Sequence, residues 1–376
     1  MRNGMSEHYE IAIVGAGPAD LSAAARAAAC GAPHILLEAA PRIANTVRHY
    51  QKAKCVMAEP AALPLRSCLS FAAGPREDIL RTWEEELRPG AVERRFDSRV
   101  IAIEGTRGIF RLFLATGETL TAAFVVLAIG LQGNIRRLGM LGDDLPRVHY
   151  QLEDPDEFQD EVIVVVGAGD AGVEDALALR LSNQVILVNR GGSIVNCTQS
   201  NFDAVMAALE KGELECRHEM IVERIEAGDD AGLPLQVIVH ARQGVEKIRC
   251  HRVIARLGAD PPRQLLESFG IAFPNDDPDA LPQLGADAES SVAGLYIVGA
   301  LAGYPLIKQA MNQGQDVVDR ILGKPVEPVD EPLLKARLAK FRQGCTVLKF
   351  SVPWACPRGC PRLSCETCCW LVVKLQ

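Results

Sequence analysis

The sequence has no long apolar run, no excess of positive charge and no apolar leader at its start. Its longest apolar stretches, such as 124–131, are far too short to cross a bilayer. The net charge of −8 disfavours a general role in nucleic-acid binding. The opening residues MRNGMSEHYE are polar and lack the core of a secretory signal. We therefore expect a cytoplasmic protein with neither membrane nor nucleic acid as a partner.

What is present is typical of a soluble globular protein, with 48% hydrophobic and 23% charged residues. The 376 residues are enough for two or three domains. Twelve cysteines form two groups, six scattered before residue 251 and six between 345 and 369. In a reducing compartment we expect the scattered six to be thiols, mostly buried as small apolar residues.

Two stretches of the chain repeat one pattern. Residues 11–20 read IAIVGAGPAD, and residues 162–179 read VIVVVGAGDAGVEDALAL. Each is an apolar strand followed by a glycine turn and an Ala-rich helix. In such a G-x-G-x-x-G turn the first glycine permits the tight bend, the second lets a pyrophosphate approach, and the third lets helix pack on strand. The helix N-terminus then attracts the phosphates.

The two copies differ at the third glycine. The second copy has Gly167, Gly169 and Gly172 in the three places, whereas the first has Gly15 and Gly17 but Asp20. We expect the side chain at position 20 to hold helix and strand slightly apart and to weaken phosphate binding.

The residue after the next strand separates the copies further. Glu38 lies 23 residues after Gly15, and Arg190 lies 23 residues after Gly167. A carboxylate there suits the ribose diol of a dinucleotide, whereas a guanidinium suits a 2′-phosphate.

Residues 109–131 and 235–258 each alternate between apolar and polar residues around a glycine turn, which predicts a β-meander late in each domain. The sequence thus predicts two domains that bind two different nucleotides.

Three more segments make the chain similar to a known family. They are FVVLAIGLQGNIRRLGMLGDDL at 124–145, RLGADPPRQLLESFGI at 256–271, and GLYIVGALAGYPLIKQAMNQGQ at 294–315. With both glycine turns, they resemble the thioredoxin reductase-like flavoproteins, the class II pyridine nucleotide-disulfide oxidoreductases, over about residues 8–324. The resemblance implies an α/β fold of two three-layer (β-β-α) Rossmann-like domains, with the NAD(P)H domain inserted into the FAD domain. The implied boundaries are 1–150 and 269–324 for FAD, 151–268 for NAD(P)H, and 325–376 for a linker and Cys-rich tail.

The resemblance also implies an activity, namely hydride transfer from NADPH to FAD and then electron transfer to a thiol–disulfide or other redox acceptor. NADPH is expected as the donor, and NADH stays open because the usual basic cluster beyond Arg190 is thin. The acceptor is expected to be a small redox protein or a low-molecular-weight disulfide, and the protein a homodimer. Because the flavin carries the chemistry, we expect no catalytic side chain, and we expect no metal in the site.

Carried over by position, the resemblance gives two sets of cofactor-binding residues. The expected FAD contacts are Gly15, Gly17, Pro18, Ala19, Glu38, Arg66, Ser67, Val100, Ala128, Gly130, Gly299, Ala300, Lys308 and Gln309. The expected NAD(P)H contacts are Gly167, Gly169, Asp170, Ala171, Gly172 and Arg190. The segment with Arg66 and Ser67 is equally compatible with an ordinary surface loop.

Three departures from the family pattern leave alternatives open. Ala300 stands where the family has an Asp that holds FAD, although Lys308 and Gln309 match an Arg-Gln pair that helps hold the flavin. The family's C-x-x-C ahead of the second glycine turn is absent, because 150–153 reads YQLE and no cysteine lies between Cys68 and Cys197. A ferredoxin–NADP reductase, which needs no such disulfide, is therefore one alternative. A flavin- or nucleotide-binding sensor without turnover is another.

The C-terminal tail allows three interpretations. Its cysteines follow the spacing C-x₃-C-x₄-C-x₂-C-C from Cys356 to Cys369. They could bind zinc or an iron–sulfur cluster, act as a mobile dithiol that accepts electrons, or belong to an accidental terminus. The spacing matches no metal motif, so the accidental terminus is the favoured interpretation.

Overall fold

The computed structural model describes residues 8–326, apart from 62, 88, 89, 91, 231 and 286 and the side chains of 229 and 230. The strands in chain order are β1 His8–Val14, β2 His34–Leu37, β3 Cys55–Val56, β4 Gly74–Pro75, β5 Arg94–Arg95, β6 Val100–Glu104, β7 Phe110–Leu114, β8 Thr119–Leu127, β9 Val148–His149, β10 Val162–Val166, β11 Gln184–Val188, β12 Glu215–Arg217, β13 Ile221–Asp230, β14 Leu233–Ala241, β15 Gly244–Cys250, β16 Arg252–Ala255 and β17 Leu295–Ile297. The helices are α1 Pro18–Ala29, α2 Asn45–Arg48, α3 Arg76–Glu86, α4 Asp170–Leu179, α5 Gln199–Glu210, α6 Arg263–Ser268 and α7 Ile307–Ile321, with 3₁₀ turns at Pro155–Glu157 and Gly299–Ala302.

The first apolar stretch forms the centre of a sheet ordered β5-β2-β1-β8-β7-β6. Strand β1 is parallel to both β2 and β8. Ile11 and Ile13 pack on the side of α1 and α7, while Ala12 and Val14 pack on the opposite face. Both faces of this strand are therefore buried, which explains why its sequence is continuously apolar.

The second apolar stretch builds the same arrangement again. Its sheet has the order β12-β11-β10-β16-β9, and the parallel neighbours of β10 are β11 and β16. Ile163 and Val165 pack with the helices α4 and α5, whereas Val164 and Val166 pack against the antiparallel sheet β13-β14-β15. The predicted three-layer domain and its late meander are confirmed.

After the second sheet the chain returns to the first. Strand β17 pairs in parallel with β8, with Leu295 opposite Val125 and Ile297 opposite Leu127. The predicted insertion of one nucleotide-binding domain into the other is therefore confirmed.

The connections between the two sheets do not follow the expected boundaries residue for residue. Strand β9, before residue 150, belongs to the second sheet, and Leu266 of α6, before residue 268, packs in the core of the first. The domain boundaries therefore stay a prediction. No helix in the described part of the chain is long and apolar enough to cross a membrane.

Candidate dinucleotide-binding sites

The first glycine turn lies where three parallel strands end. Gly15 has φ +119°, a conformation that favours glycine, and its N–H donates to the carbonyl of Leu37 at 2.8 Å. A Cβ at Gly15 would lie 3.0 Å from the carbonyl oxygen of Ala128, which follows β8. The carboxyl ends of β1, β2 and β8 thus bring Gly15, Glu38 and Ala128 to one edge of the sheet, where open α/β sheets bind ligands.

Asp20 occupies the space that the third glycine would leave free. Its carboxyl is fully buried, and its Oδ2 accepts a hydrogen bond from the N–H of Gly17 at 3.0 Å. A Cβ at Gly15 would lie 2.8 and 2.9 Å from its two oxygens. In the second turn a Cβ at Gly172 would lie only 1.8 Å from the carbonyl oxygen of Gly167. The first turn must therefore be wider than the second in order to hold a side chain.

Glu38 follows β2 at the position expected for a ribose ligand. Its Oε1 accepts from the N–H of Ala40 at 2.7 Å, which fixes the carboxylate beside the turn. Burial raises the pKa of Glu38, opposed by hydrogen bonds from backbone N–H groups.

Residues 294–315, the segment that returns to the first sheet, close this site from the side of α7. A Cβ at Gly299 would lie 3.2 Å from the Cβ of Ala19, and the N–H of Gly299 donates to Oε1 of Gln313 at 2.8 Å. Gly314 lets α7 approach α1 closely, since a Cβ there would lie 2.0 Å from the carbonyl oxygen of Ala19. Ala300, half-buried in the following 3₁₀ turn, supplies no polar group at this edge.

Several expected FAD contacts have partners within the protein. The buried Lys308 donates from Nζ to the carbonyl of Pro60 at 2.9 Å. Arg66 forms an ion pair with Asp316 at 2.7 Å, and the hydroxyl of Ser22 donates to that of Ser67 at 2.7 Å. These bonds fasten the loop between α2 and α3 to the helices α1 and α7. The other positions are placed as follows: Val100 is in the apolar core, Gly130 (φ +66°) follows β8, and Gln309 is half-buried on α7.

The second glycine turn has the closer geometry of the complete pattern. Gly167 has φ +110°, and a Cβ there would lie 2.3 Å from the carbonyl oxygen of Arg256. Gly169 is the N-cap of α4, so the N-terminus of this helix faces the turn. Oδ1 of Asp170 accepts from the N–H of Thr198 and from Nδ2 of Asn201, both at 2.7 Å, while Ala171 is half-buried.

The equivalence of Glu38 and Arg190 is wrong by one residue. Strand pairing places Val14 opposite Leu37 but Val166 opposite Val188, so the residue equivalent to Glu38 is Asn189. The connection after the second turn is one residue shorter, which a count from the first glycine does not detect. Nδ2 of Asn189 donates to the carbonyl of Ser193 at 2.9 Å and shapes the next loop. Arg190 is exposed one position further along.

Sequence reasoning missed a polar contact between the two domains. Nζ of Lys54 donates to the carboxylate of Glu174 at 2.5 Å, and Nε2 of Gln51 donates to that of Asp175. Arg256 forms an ion pair with the buried Asp175 at 3.1 Å. Burial raises the pKa of Asp175 to about 6, although Arg256 and Gln51 oppose this. An aspartate within the Ala- and Leu-rich helix α4 was the only signal of this contact in the sequence.

The scattered cysteines are free thiols in the described part of the chain. The expectation that most of them are buried is wrong, since only Cys197 and Cys250 are buried while Cys55 and Cys68 are exposed. The six tail cysteines lie outside the described residues.

Sequence comparison finds relatives that are similar over most of the chain. A ferredoxin–NADP reductase of Ignicoccus hospitalis is 29% identical over 266 residues, which cover 69% of this chain and 80% of the relative. One of Granulibacter bethesdensis is 25% identical over 334 residues, covering 81% and 85%.

Solved structures share the fold. A bacillithiol disulfide reductase from Staphylococcus aureus aligns with a TM-score of 0.75 and 18% identity, covering 84% of this chain and 99% of that one. A thioredoxin reductase from Lactococcus lactis aligns with a TM-score of 0.69 and 19% identity, covering 84% and 98%.

A family assignment agrees with the two glycine turns and the returning segment. Residues 9–314 match the pyridine nucleotide-disulphide oxidoreductase family. The chain belongs to this family and is an FAD-dependent NAD(P)H oxidoreductase.

Proposed function

We propose that this oxidoreductase passes electrons from NADPH, through FAD, to a small redox protein of the ferredoxin type. The observation that carries the proposal is the absence of a redox disulfide from residues 8–326 where the structure describes them: all six cysteines there are free, and none lies between Cys68 and Cys197. The relatives named as ferredoxin–NADP reductases support the same acceptor.

The residues at the first turn fit the adenine half of FAD. Gly15 and Gly17 carry no side chain that would block a pyrophosphate, the carboxylate of Glu38 would bind the ribose, and Gly299 allows the closing segment to approach Ala19. Bound FAD supplies the redox chemistry, because it accepts a hydride and can release electrons one at a time. We propose that the protein contributes binding and orientation, with no side chain as acid or base.

The second turn supports NADPH as the donor. The N-terminus of α4 attracts the pyrophosphate, and the described structure gives the exposed Arg190 no hydrogen bond or ion pair. Its guanidinium is therefore available to a 2′-phosphate, which NADH lacks. We also propose the remaining expected cofactor contacts and a homodimer, as the family resemblance implies, together with the cytoplasmic location expected from the sequence.

The proposal is tested in two steps. The purified protein is expected to be yellow and to bleach when NADPH is added without oxygen. Ferredoxin, thioredoxin and glutathione disulfide are then compared as acceptors under steady-state conditions. Only ferredoxin is expected to sustain NADPH oxidation. Turnover with a disulfide and none with ferredoxin would refute the acceptor, while bleaching without turnover on any acceptor, ferricyanide included, would indicate a sensor.

A further inference from the structure

Asp20 is a buried carboxyl group beneath the turn that receives the FAD pyrophosphate. One of its oxygens, Oδ2, accepts from the N–H of Gly17, so an amide that glycine turns direct at phosphate is already engaged. The other oxygen, Oδ1, is buried with no hydrogen-bond partner among the described residues. An unpaired negative charge on a buried oxygen costs more free energy than a buried neutral carboxyl group does, so this position favours the protonated form.

The charges around Asp20 do not favour its ionisation. Burial raises the pKa of Asp20 well above its usual value, and the negative charge of Glu38, which follows β2, raises it further by electrostatic repulsion. The other charged side chains on the packed faces of α1 and α7 have their own partners: Arg26 with Asp319, Lys308 with the carbonyl of Pro60, and Arg66 of the adjoining loop with Asp316.

From this geometry we infer that Asp20 carries a proton when FAD is bound, so that at pH values where Asp20 is ionised in the FAD-free protein, FAD binding takes up a proton and weakens as the pH rises. The bound pyrophosphate brings two negative charges to the turn above a carboxyl that has no cation beside it among the described residues. Like charges at one site cannot all be ionised cheaply, so the anionic form of Asp20 must bind FAD less tightly than the neutral form. The inference rests on FAD binding and not on the acceptor proposed above.

The test follows the dissociation constant of FAD as a function of pH. Holoprotein is diluted at pH values between 5.5 and 9, and the released flavin is measured by its fluorescence. For one linked proton the constant is expected to rise by up to about tenfold per pH unit once Asp20 ionises in the FAD-free protein. Asp20→Asn, which keeps the size of the side chain but cannot ionise, is expected to show a flatter profile and tighter binding than the wild type at the alkaline end.

Two further variants separate charge from shape. Asp20→Gly restores the third glycine and is expected to be as flat as Asp20→Asn and to bind FAD more tightly still. Asp78→Asn removes an exposed aspartate from the first turn of another helix, α3, and is expected to keep the wild-type slope.

Parallel profiles for the wild type and both Asp20 variants would overturn the inference. If the dissociation constant of FAD in Asp20→Gly equals that of the wild type, the size of the side chain at position 20 does not affect FAD binding. Because flavin release requires no electron acceptor, neither result depends on whether ferredoxin is the partner.

Discussion

At the scale of single residues, the proposed preference for NADPH over NADH depends on the exposed guanidinium of Arg190. We expect Arg190→Gln to raise the KM for NADPH by about tenfold or more, because a hydrogen bond between charged groups contributes about 1.5–3 kcal/mol. The KM for NADH and the kcat with either donor are expected to stay unchanged. Steady-state kinetics with both donors measure this difference.

A nearby arginine supplies the control for that measurement. Arg242 is also exposed, but it forms an ion pair with Glu219 at 2.8 Å. We expect Arg242→Gln to leave both KM values unchanged. If Arg190→Gln impaired NADH and NADPH equally, its role would be structural and the 2′-phosphate contact would be wrong.

The two glycine turns show how much of the nucleotide sites could be predicted from residue types and their spacing. They predicted both glycine turns, and they marked Asp20 as the departure from the pattern. They did not show that its oxygens lie against Gly15 and Gly17, because this depends on how far α1 moves away from β1. They also misaligned Arg190, because one residue fewer after the second turn shifts the end of β11.

At the scale of elements, the contact between residues 51–54 and α4 holds a carboxyl whose charge opposes folding. The unfolded carboxyl of Asp175 has its usual pKa of 3.8, and the folded one has a pKa of about 6. Between these values the native chain binds more protons, so its free energy of unfolding falls as the pH rises. A shift of this size corresponds to about 3 kcal/mol, fully lost only above the folded pKa.

We therefore expect Asp175→Asn to change the pH dependence of stability. From about pH 4 to pH 7 the free energy of unfolding of the wild type should fall relative to that of the variant by up to about 3 kcal/mol. Urea denaturation at a series of pH values measures this difference. A matched variant is Asp154→Asn, whose partner Lys52 lies at the same junction. There the pairing lowers the pKa of Asp154 below its usual 3.8, so its removal should leave the slope from about pH 4 to pH 7 unchanged and should give a slope of the opposite sign only below about pH 4.

A constant difference in the free energy of unfolding between the wild type and Asp175→Asn over that range would show that Asp175 stays ionised.

The layers of the second domain could be predicted from the sequence, since the alternation from Ile163 to Val166 determines which side of β10 faces helices and which faces the meander. The contact of Gln51 and Lys54 with α4 could not, because it joins positions more than 100 residues apart through side chains that are ordinarily exposed.

At the scale of the whole molecule, two similar domains supply two different nucleotide sites. The duplication was visible because each domain repeats the order of strand, glycine turn, helix and strand. The return of the chain to the first sheet followed from the family resemblance and is visible in the pairing of β17 with β8. The acceptor could not be derived in this way, because a flavin can pass electrons to many partners and the partner surface leaves no periodic pattern in the sequence.

The tail cysteines provide the decisive test of how electrons leave this molecule. If reduced flavin serves ferredoxin directly, replacing Cys365 and Cys368 together by Ser should leave both NADPH bleaching and ferredoxin reduction unchanged. Replacing the exposed Cys55 and Cys68 by Ser is the matched control within the described residues, and it should be equally silent. Loss of acceptor turnover in the tail variant alone, with bleaching by NADPH intact, would instead make the tail a dithiol relay. Each electron pair would then have to reduce a disulfide between those cysteines before reaching the partner, which is a route that the described residues do not require.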